Sequence, residues 1–215
     1  MRGNANSRLF NLVEALAFSA LVALYIWQLQ APYKYSWLIF PAWLIASFSL
    51  HQDTPATLGW RMDNLWIAAK KSGVILLPFG ISLSIVGLFL GGFDRPFHHL
   101  LVPRRFFGYM FFCVLQQVGL NSYVTNRLLA ADIRPAGAAL IAGTIFAALH
   151  WPNPILIPLT WIGGAAMALL FAQERNIFPL AAGQGVLGTM VWWAFPVAWH
   201  HAMRVGPGFY TFHPR

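Results

Sequence analysis

The order of apolar and polar stretches along the chain predicts a series of membrane-crossing helices. Long apolar runs alternate with short polar connections from residue 9 to residue 199. A helix needs about 20 apolar residues to cross the hydrocarbon core of a bilayer. We assign seven spans, over residues 9–29, 37–50, 72–92, 106–130, 135–150, 155–172 and 177–199. The pattern therefore predicts an all-α, polytopic transmembrane bundle of about seven spans, with residues 1–215 as a single integral membrane domain.

Two segments depart from this pattern. Residues 51–71 turn polar and amphipathic, and Thr54 before Pro55 is typical of a helix start. We expect a surface segment that leads into the third span. Residues 93–105 form a loop with adjacent histidines at 98 and 99. We interpret this pair as interfacial residues, because neighbours on one backbone rarely point at the same ion.

The composition agrees with a membrane protein and excludes an ordinary soluble surface. Hydrophobic residues make up 58% of the chain and charged residues only 9%, against about a quarter charged in soluble domains. The net charge of +8 comes from cations at segment ends, which we interpret as anchors for lipid headgroups rather than a nucleic-acid surface. We expect membrane lipids, and other membrane protein subunits, as partners. The expected location is a bacterial inner (cytoplasmic) membrane.

Cofactor chemistry has little support in the sequence. The single cysteine, Cys113, lies in an apolar run, which excludes an intrachain disulfide and argues against a thiolate metal cluster. The zinc-protease pattern His-Glu-x-x-His does not occur. We therefore predict no metal site and no cofactor.

The fourth predicted span carries more amide side chains than any other predicted span. Gln117 and Asn121 are four residues apart and share one helix face. Amides in hydrocarbon must find hydrogen-bond partners inside the bundle, because an unsatisfied one costs several kcal/mol. We therefore predict that spans four, five and seven contact one another through their polar residues. The simplest interpretation of such amides is packing between helices.

His150 and Glu14 are ionisable residues within predicted spans. His150 ends the fifth span, and an ionisable residue in a membrane is by default a candidate functional residue. The alternative is that His150 only caps its helix before the turn at Pro152 and Pro154. Glu14 lies about one turn inside the first span. It is either an interfacial charge, which we favour, or a ligand within the bundle.

Three polar motifs follow one another along the chain. They are Gln116-Gln117-Val-Gly-Leu-Asn121, Phe146-Ala-Ala-Leu-His150 and Gln184-Gly-Val-Leu-Gly188. Their order and spacing resemble the CPBP family, the CAAX protease and bacteriocin-processing (Abi) intramembrane endopeptidases, over about residues 50–200. That family carries Glu-Glu-x-x-x-Arg, Phe-x-x-x-His and His-x-x-x-Asn on successive spans. The run from Asp53 to Arg61 also looks like the segment that precedes the family core.

Only the second motif is intact, so the resemblance implies a degenerate active site. Its catalytic positions are Gln116, Gln117, His150 and Gln184. In the family, the first glutamate is expected to activate water, while histidines and an asparagine orient it and stabilise the oxyanion. An amide cannot accept a proton near neutral pH, so Gln116 and Gln117 cannot act as the general base. Gln184 keeps the ability to donate to an oxyanion, and His150 stays titratable.

Three functions remain open, with the substrate or ligand undetermined. We favour a non-catalytic family member that binds a lipid-like molecule or serves as a subunit of a membrane complex. The second is an active intramembrane endopeptidase with an altered site in which His150 is the base. The third is a pigment-, quinone- or carotenoid-associated accessory subunit, suggested by ten Trp, eighteen Phe and the histidine pairs at 98–99 and 200–201. Aromatic belts at the membrane surface explain most of that composition without a ligand.

Overall fold

The computed structural model describes residues 5–92 and 103–212, and every regular element in these ranges is a helix. The helices are α1 (Ala5–Leu24), α2 (Ile39–Leu50), α3 (Pro55–Leu58), α4 (Leu65–Phe89), α5 (Pro103–Gln117), α6 (Asn126–Ala130), α7 (Pro135–Ala148), α8 (Leu156–Glu174), α9 (Phe178–Ala194), α10 (Val197–His200) and α11 (Pro207–Tyr210). Two π-helical segments, Tyr25–Leu29 and Val118–Thr125, extend α1 and join α5 to α6. The predicted all-α architecture is confirmed for these residues. The histidine pair at 98–99 lies outside them.

Three helices are long and apolar enough to cross a membrane: Ser7–Leu29, Leu65–Phe89 and Leu156–Glu174. Two further apolar helices, Ser36–Leu50 and Pro135–Ala148, are shorter. The predicted count of seven spans is therefore not confirmed. The last predicted span is also too long at its end, because α9 stops at Ala194. Phe195 is extended before Pro196, as the residue before a proline usually is.

The fourth predicted span is the central helix of the bundle. It runs without a break from Pro103 to Ala130, and residues 120–128 are all buried. A helix that is buried on every side must have neighbours all round. Its π-helical part follows directly after Gln117. Such turns are rare, and they are frequently found at functional sites.

Small residues bring α7 and α8 together. A Cβ on Gly143 would lie 2.7 Å from the carbonyl oxygen of Trp161, and one on Gly164 would lie 3.0 Å from the Phe146 ring. Only glycine permits that separation. In membranes this close approach of backbones is a main source of helix association, since lipid is as apolar as the helices themselves.

The segment from residue 51 to residue 64 closes one end of the bundle. Thr54 caps the helical turn α3 as predicted, with its side chain accepting from the Thr57 N–H. However, the segment is tied into the bundle and does not lie free on the membrane surface. The Ser122 hydroxyl donates to the Leu58 carbonyl oxygen (2.6 Å), and the Asn176 amide donates to the Arg61 carbonyl oxygen (2.9 Å). These bonds hold the segment against the central helix and the start of α9.

Candidate functional site

Four amides from the first and third motifs form one hydrogen-bonded chain, here called the amide chain. Asn121 Nδ2 donates to Gln117 Oε1 (2.5 Å), and Gln117 Nε2 donates to Gln184 Oε1 (2.6 Å). Gln184 Nε2 in turn donates to Gln116 Oε1 (2.5 Å). Gln117 and Asn121 are completely buried. The structure therefore joins the central helix to α9 through the residues that the sequence singled out.

The direction of the amide chain fixes what each member offers. Every donor in it points from Asn121 towards Gln116, so Gln116 accepts from Gln184 and keeps its own Nε2 group for other partners. Gln117 uses its Nε2 twice, towards Gln184 and towards the sulfur of Met167 (3.1 Å). The chain is therefore satisfied inside the bundle and ends in a donor at Gln116.

A cavity of about 340 Å³ begins at this end of the amide chain. Its wall is mostly apolar and comes from α4, the central helix, α7, α8 and α9. Polar side chains at the wall are Ser82, Tyr109, Gln116, His150, Thr160 and Gln184. A concave apolar site of this volume with a few convergent polar groups is typical of small-molecule binding. Among the described residues that line the cavity, none is an aspartate or a glutamate.

His150 lies at the cavity wall and is held by the other fixed member of its motif. Its Nδ1 lies 2.6 Å from the Phe146 carbonyl oxygen. A carbonyl only accepts, so Nδ1 carries the proton and Nε2 keeps its lone pair. The Phe146 ring meets the imidazole edge-on at 4.6 Å. His150 therefore bonds a carbonyl of its own helix and also lines the cavity.

Comparison with known proteins agrees with the motif assignment. Residues 98–190 match the family model described as type II CAAX prenyl endopeptidase Rce1-like. This range is similar to that family, and we call it the Rce1-like segment. The resemblance to CPBP endopeptidases is thereby confirmed over a range that holds all three motifs. No curated protein matches the chain, and no solved structure matches it either.

At one motif position of the Rce1-like segment a glycine leaves room for the side chain of a neighbouring helix. Gly188 stands where the third motif of the family has asparagine, and a Cβ there would lie 1.8 Å from the Tyr109 hydroxyl oxygen. Tyr109 comes from α5 and also lines the cavity. Its phenol therefore occupies the volume next to α9 that a side chain at position 188 would need. The sequence indicated the glycine but gave no sign of the tyrosine.

The predicted contact through polar residues is found between spans four and seven, whereas span five packs against the central helix through apolar side chains. The amide chain joins spans four and seven. The fifth span directs its polar groups elsewhere, because Thr144 accepts from the Trp161 indole N–H on α8 (3.2 Å) and His150 bonds its own helix. That part of the prediction is wrong. The physical reason is that small residues, rather than amides, bring α7 against its neighbour.

The sequence did not reveal a second polar group, the charged cluster, formed by Glu14, Ser47, His51, Asp53 and Arg127. Arg127 is only 1% exposed, and its Nη2 lies 2.6 Å from Asp53 Oδ2. Its Nε lies 3.4 Å from Glu14 Oε2, which also bonds His51 Nε2 at 2.6 Å. Glu14 is therefore bonded within the bundle, which is one of the two alternatives for this residue, and its side chain is 12% exposed.

The charged cluster connects the Rce1-like segment to the part of the chain that precedes it. Arg127 belongs to the matched range, whereas its carboxylate partners Glu14 and Asp53 do not. Sequence reasoning counted Arg127 as a cation near a membrane surface. The available signal was its position only a few residues after the amides on one buried helix. Its partners are 74 and more residues away, so no local pattern could have identified them.

Proposed function

We propose that this integral membrane protein is a non-catalytic Rce1-like protein that binds a lipid-like molecule in its apolar cavity. The observation that carries the proposal is the polar chemistry of the cavity, which has amide, phenol, hydroxyl and imidazole groups but no carboxylate base among its described lining residues. General-base catalysis typically contributes about 100- to 10,000-fold to a rate. A site without its base is a poor protease and can still be a good binding site.

The expected ligand has an apolar chain and a neutral polar head. Most of the cavity wall is apolar and suits an acyl or prenyl chain. Gln116 offers a donor and His150 Nε2 an acceptor at the same cavity, so an ester, an amide or a hydroxyl matches them. The Rce1-like description refers to CAAX prenyl substrates, and a prenyl chain is therefore the first class to test. We place the protein in a bacterial inner membrane, with other membrane subunits as further partners.

Binding is tested by filling the cavity. Gly163 lines it, and a Cβ added there meets nothing within 4 Å. The Gly163→Leu variant therefore fills the space without a clash, and we expect it to abolish binding of a fluorescent prenylated or acylated probe in detergent micelles. Gly108→Leu is the matched control, because its Cβ also meets nothing within 4 Å and the residue does not line the cavity. Equal binding by both variants would refute the cavity as the site.

The catalytic alternative is tested with a cleavage assay. His150 Nε2 keeps a lone pair at the cavity, and this observation favours an altered protease with His150 as base. Purified protein is incubated with a prenylated CAAX peptide, beside His150→Ala, Gln116→Glu and the double variant Gln116→Glu with Gln117→Glu. We expect no cleavage by the natural sequence. Robust cleavage that disappears in His150→Ala would overturn the proposal, whereas activity only in a glutamate variant would support it.

A further inference from the structure

A second pocket, of about 500 Å³, is lined by the C-terminal part of the central helix, whereas the cavity is lined by an earlier part of that helix. This second pocket lies at the N-terminal face, which is the end of the bundle where α1 and α4 begin and α8 ends. Its wall consists of His51, Asp53, Ala56, Thr57, Asn126, Arg127, Ala130 and Arg175. We call it the arginine pocket. Nothing in the proposed function uses it.

The two arginines of this pocket are in different electrostatic situations. Arg127 is paired with Asp53 and Glu14 and bonds the Ser47 hydroxyl at 3.1 Å. Its charge is therefore compensated within the protein. Arg175 directs its Nη1 to neutral oxygens, the Asn126 side-chain carbonyl and the Thr57 backbone carbonyl (3.2 Å).

The carboxylates of the described part of the chain are already engaged by cations other than Arg175. The pairs are Arg8 with Asp132, Arg61 with Asp63, Lys71 with Glu174, and Arg127 with both Glu14 and Asp53. Partial burial also lowers the pKa of Arg175 from its ordinary value, because a guanidinium loses hydration there, while the negative charge of Asp53 acts in the opposite direction. An anion in the pocket would offset that loss.

The backbone of Arg175 adopts a conformation that a residue with a side chain rarely takes. The residue ends α8 in the left-handed conformation, with φ of 48° and ψ of 55°. Glycine ordinarily occupies such a C-terminal position, since any Cβ is strained there. A cation near a helix C-terminus also favours the helix dipole. The test must therefore separate charge at this site from stabilisation of α8.

We propose that the arginine pocket binds one phosphate group, presented by the headgroup of an anionic membrane lipid, with Arg175 as the cation that contacts it. Guanidinium groups suit phosphate because they donate several hydrogen bonds in one plane. Thr57 also lines the pocket, and its hydroxyl donates to the Thr54 carbonyl oxygen (2.9 Å) within the capping box of α3. Asp53 faces the same pocket, but Arg127 holds its Oδ2 and Asn126 lies 3.3 Å from its Oδ1. Both oxygens of Asp53 therefore have hydrogen-bond partners within the protein.

The test uses the full-length protein in neutral detergent micelles and counts bound phosphatidylglycerol by native mass spectrometry. We expect one tightly retained lipid on the natural sequence. Arg175→Gln should weaken retention by at least about tenfold, the usual effect of losing a charge-assisted hydrogen bond. Arg175→Lys, which keeps the charge, should retain binding within a few fold. Lys70→Gln is the matched control, because it removes the same charge from an exposed site at the same face outside the pocket.

A second variant tests the pocket without altering Arg175. Ala130 is exposed and lines the pocket, so Ala130→Glu adds a repelling charge while the charged cluster stays intact. We expect it to weaken lipid retention as Arg175→Gln does. Circular dichroism checks that each variant keeps its helix content. If Arg175→Gln does not fold, Ala130→Glu decides the question.

Inorganic phosphate distinguishes the two sources of the anion. A rise in the thermal midpoint with phosphatidylglycerol but not with millimolar phosphate supports a headgroup site, and a rise with phosphate as well supports a site for free anions. Either rise must be absent in Ala130→Glu. Equal loss of binding in Arg175→Gln and Lys70→Gln would show a diffuse attraction to the basic face and would overturn the proposal. Absence of any bound lipid or phosphate on the natural sequence would overturn it too.

Discussion

The two glutamines of the first motif should respond oppositely to the same isosteric change. Gln116 accepts a hydrogen bond from Gln184 through its Oε1, and a carboxylate accepts equally well. Gln117 donates through its Nε2 to Gln184 Oε1 at 2.6 Å, and a carboxylate has no proton to donate. We therefore predict that Gln116→Glu is tolerated and that Gln117→Glu destabilises the protein at neutral pH.

The size of the difference follows from the contacts. Gln117→Glu places two acceptor oxygens where a donor and an acceptor now meet, at a residue with no exposed surface. A buried polar group left without its partner costs about 1–3 kcal/mol, and more when charged. Both variants carry a cost for placing charge in the bundle, so the gap between them reports the hydrogen bond. At about 2–4 °C per kcal/mol for a chain of this size, the midpoints should differ by about 2–12 °C.

Thermal unfolding in detergent micelles, followed by circular dichroism, measures this gap. Gln117→Leu and Gln116→Leu serve as controls that remove the amide without adding charge. Acidification should narrow the gap, because a protonated carboxyl at position 117 regains a donor for Gln184. Equal midpoints at pH 7, or a lower midpoint for Gln116→Glu, would show that the assigned direction of the amide chain is wrong.

Three further changes test other parts of the structure. Asp53→Ala should cost up to about 3–5 kcal/mol in thermal unfolding because it removes the nearer carboxylate from a buried arginine and leaves only Glu14 at 3.4 Å. Asp132→Ala, in an exposed pair, should cost about 1 kcal/mol or less; similar costs would contradict the assigned burial. Gly188→Ala should cost about 1–3 kcal/mol through overpacking against Tyr109, and adding Tyr109→Leu should restore the midpoint. Asn153→Ala, which frees the carbonyls of residues 200 and 204, should cost about 1–3 kcal/mol and speed hydrogen exchange near the C-terminus, and unchanged exchange would argue against this link.

The sequence by itself determined the features that depend on neighbours along the chain. Apolar run length predicted α1, α4 and α8 as spans, since crossing a bilayer is a local property of about 20 residues. Thr54 before Pro55 predicted the start of α3. The spacing of Gln117 and Asn121 placed them on one face, and the observed hydrogen bond between them follows from that spacing. Motif order alone gave the resemblance that the family match confirms over residues 98–190.

Tertiary structure decided which polar groups meet, and which of them donates and which accepts the hydrogen bond. The three glutamines of the amide chain could have formed several hydrogen-bond patterns. Only packing of the central helix against α9 made Gln117 a donor to Gln184 and Gln116 an acceptor from it. Packing also decided the two halves of the central helix, because residues 120–128 are all buried whereas Phe107, Phe111 and Leu115 are exposed.

The charged cluster shows most clearly what could not be predicted from the sequence alone. Arg127, Glu14 and Asp53 each look like surface charges when taken alone, because a single buried charge is prohibitively costly. Each charge is tolerated in the interior only because opposite charges lie beside it. The fold brings α1, the segment before α3 and the central helix together, so that the arginine lies 2.6 to 3.4 Å from the carboxylates. Pairing across such distances in sequence has no local signature. The sequence therefore determined which segments are helical and which residues carry the motifs, whereas the fold alone decided which charges neutralise one another and which cation, Arg175, keeps its hydrogen bonds for neutral oxygens.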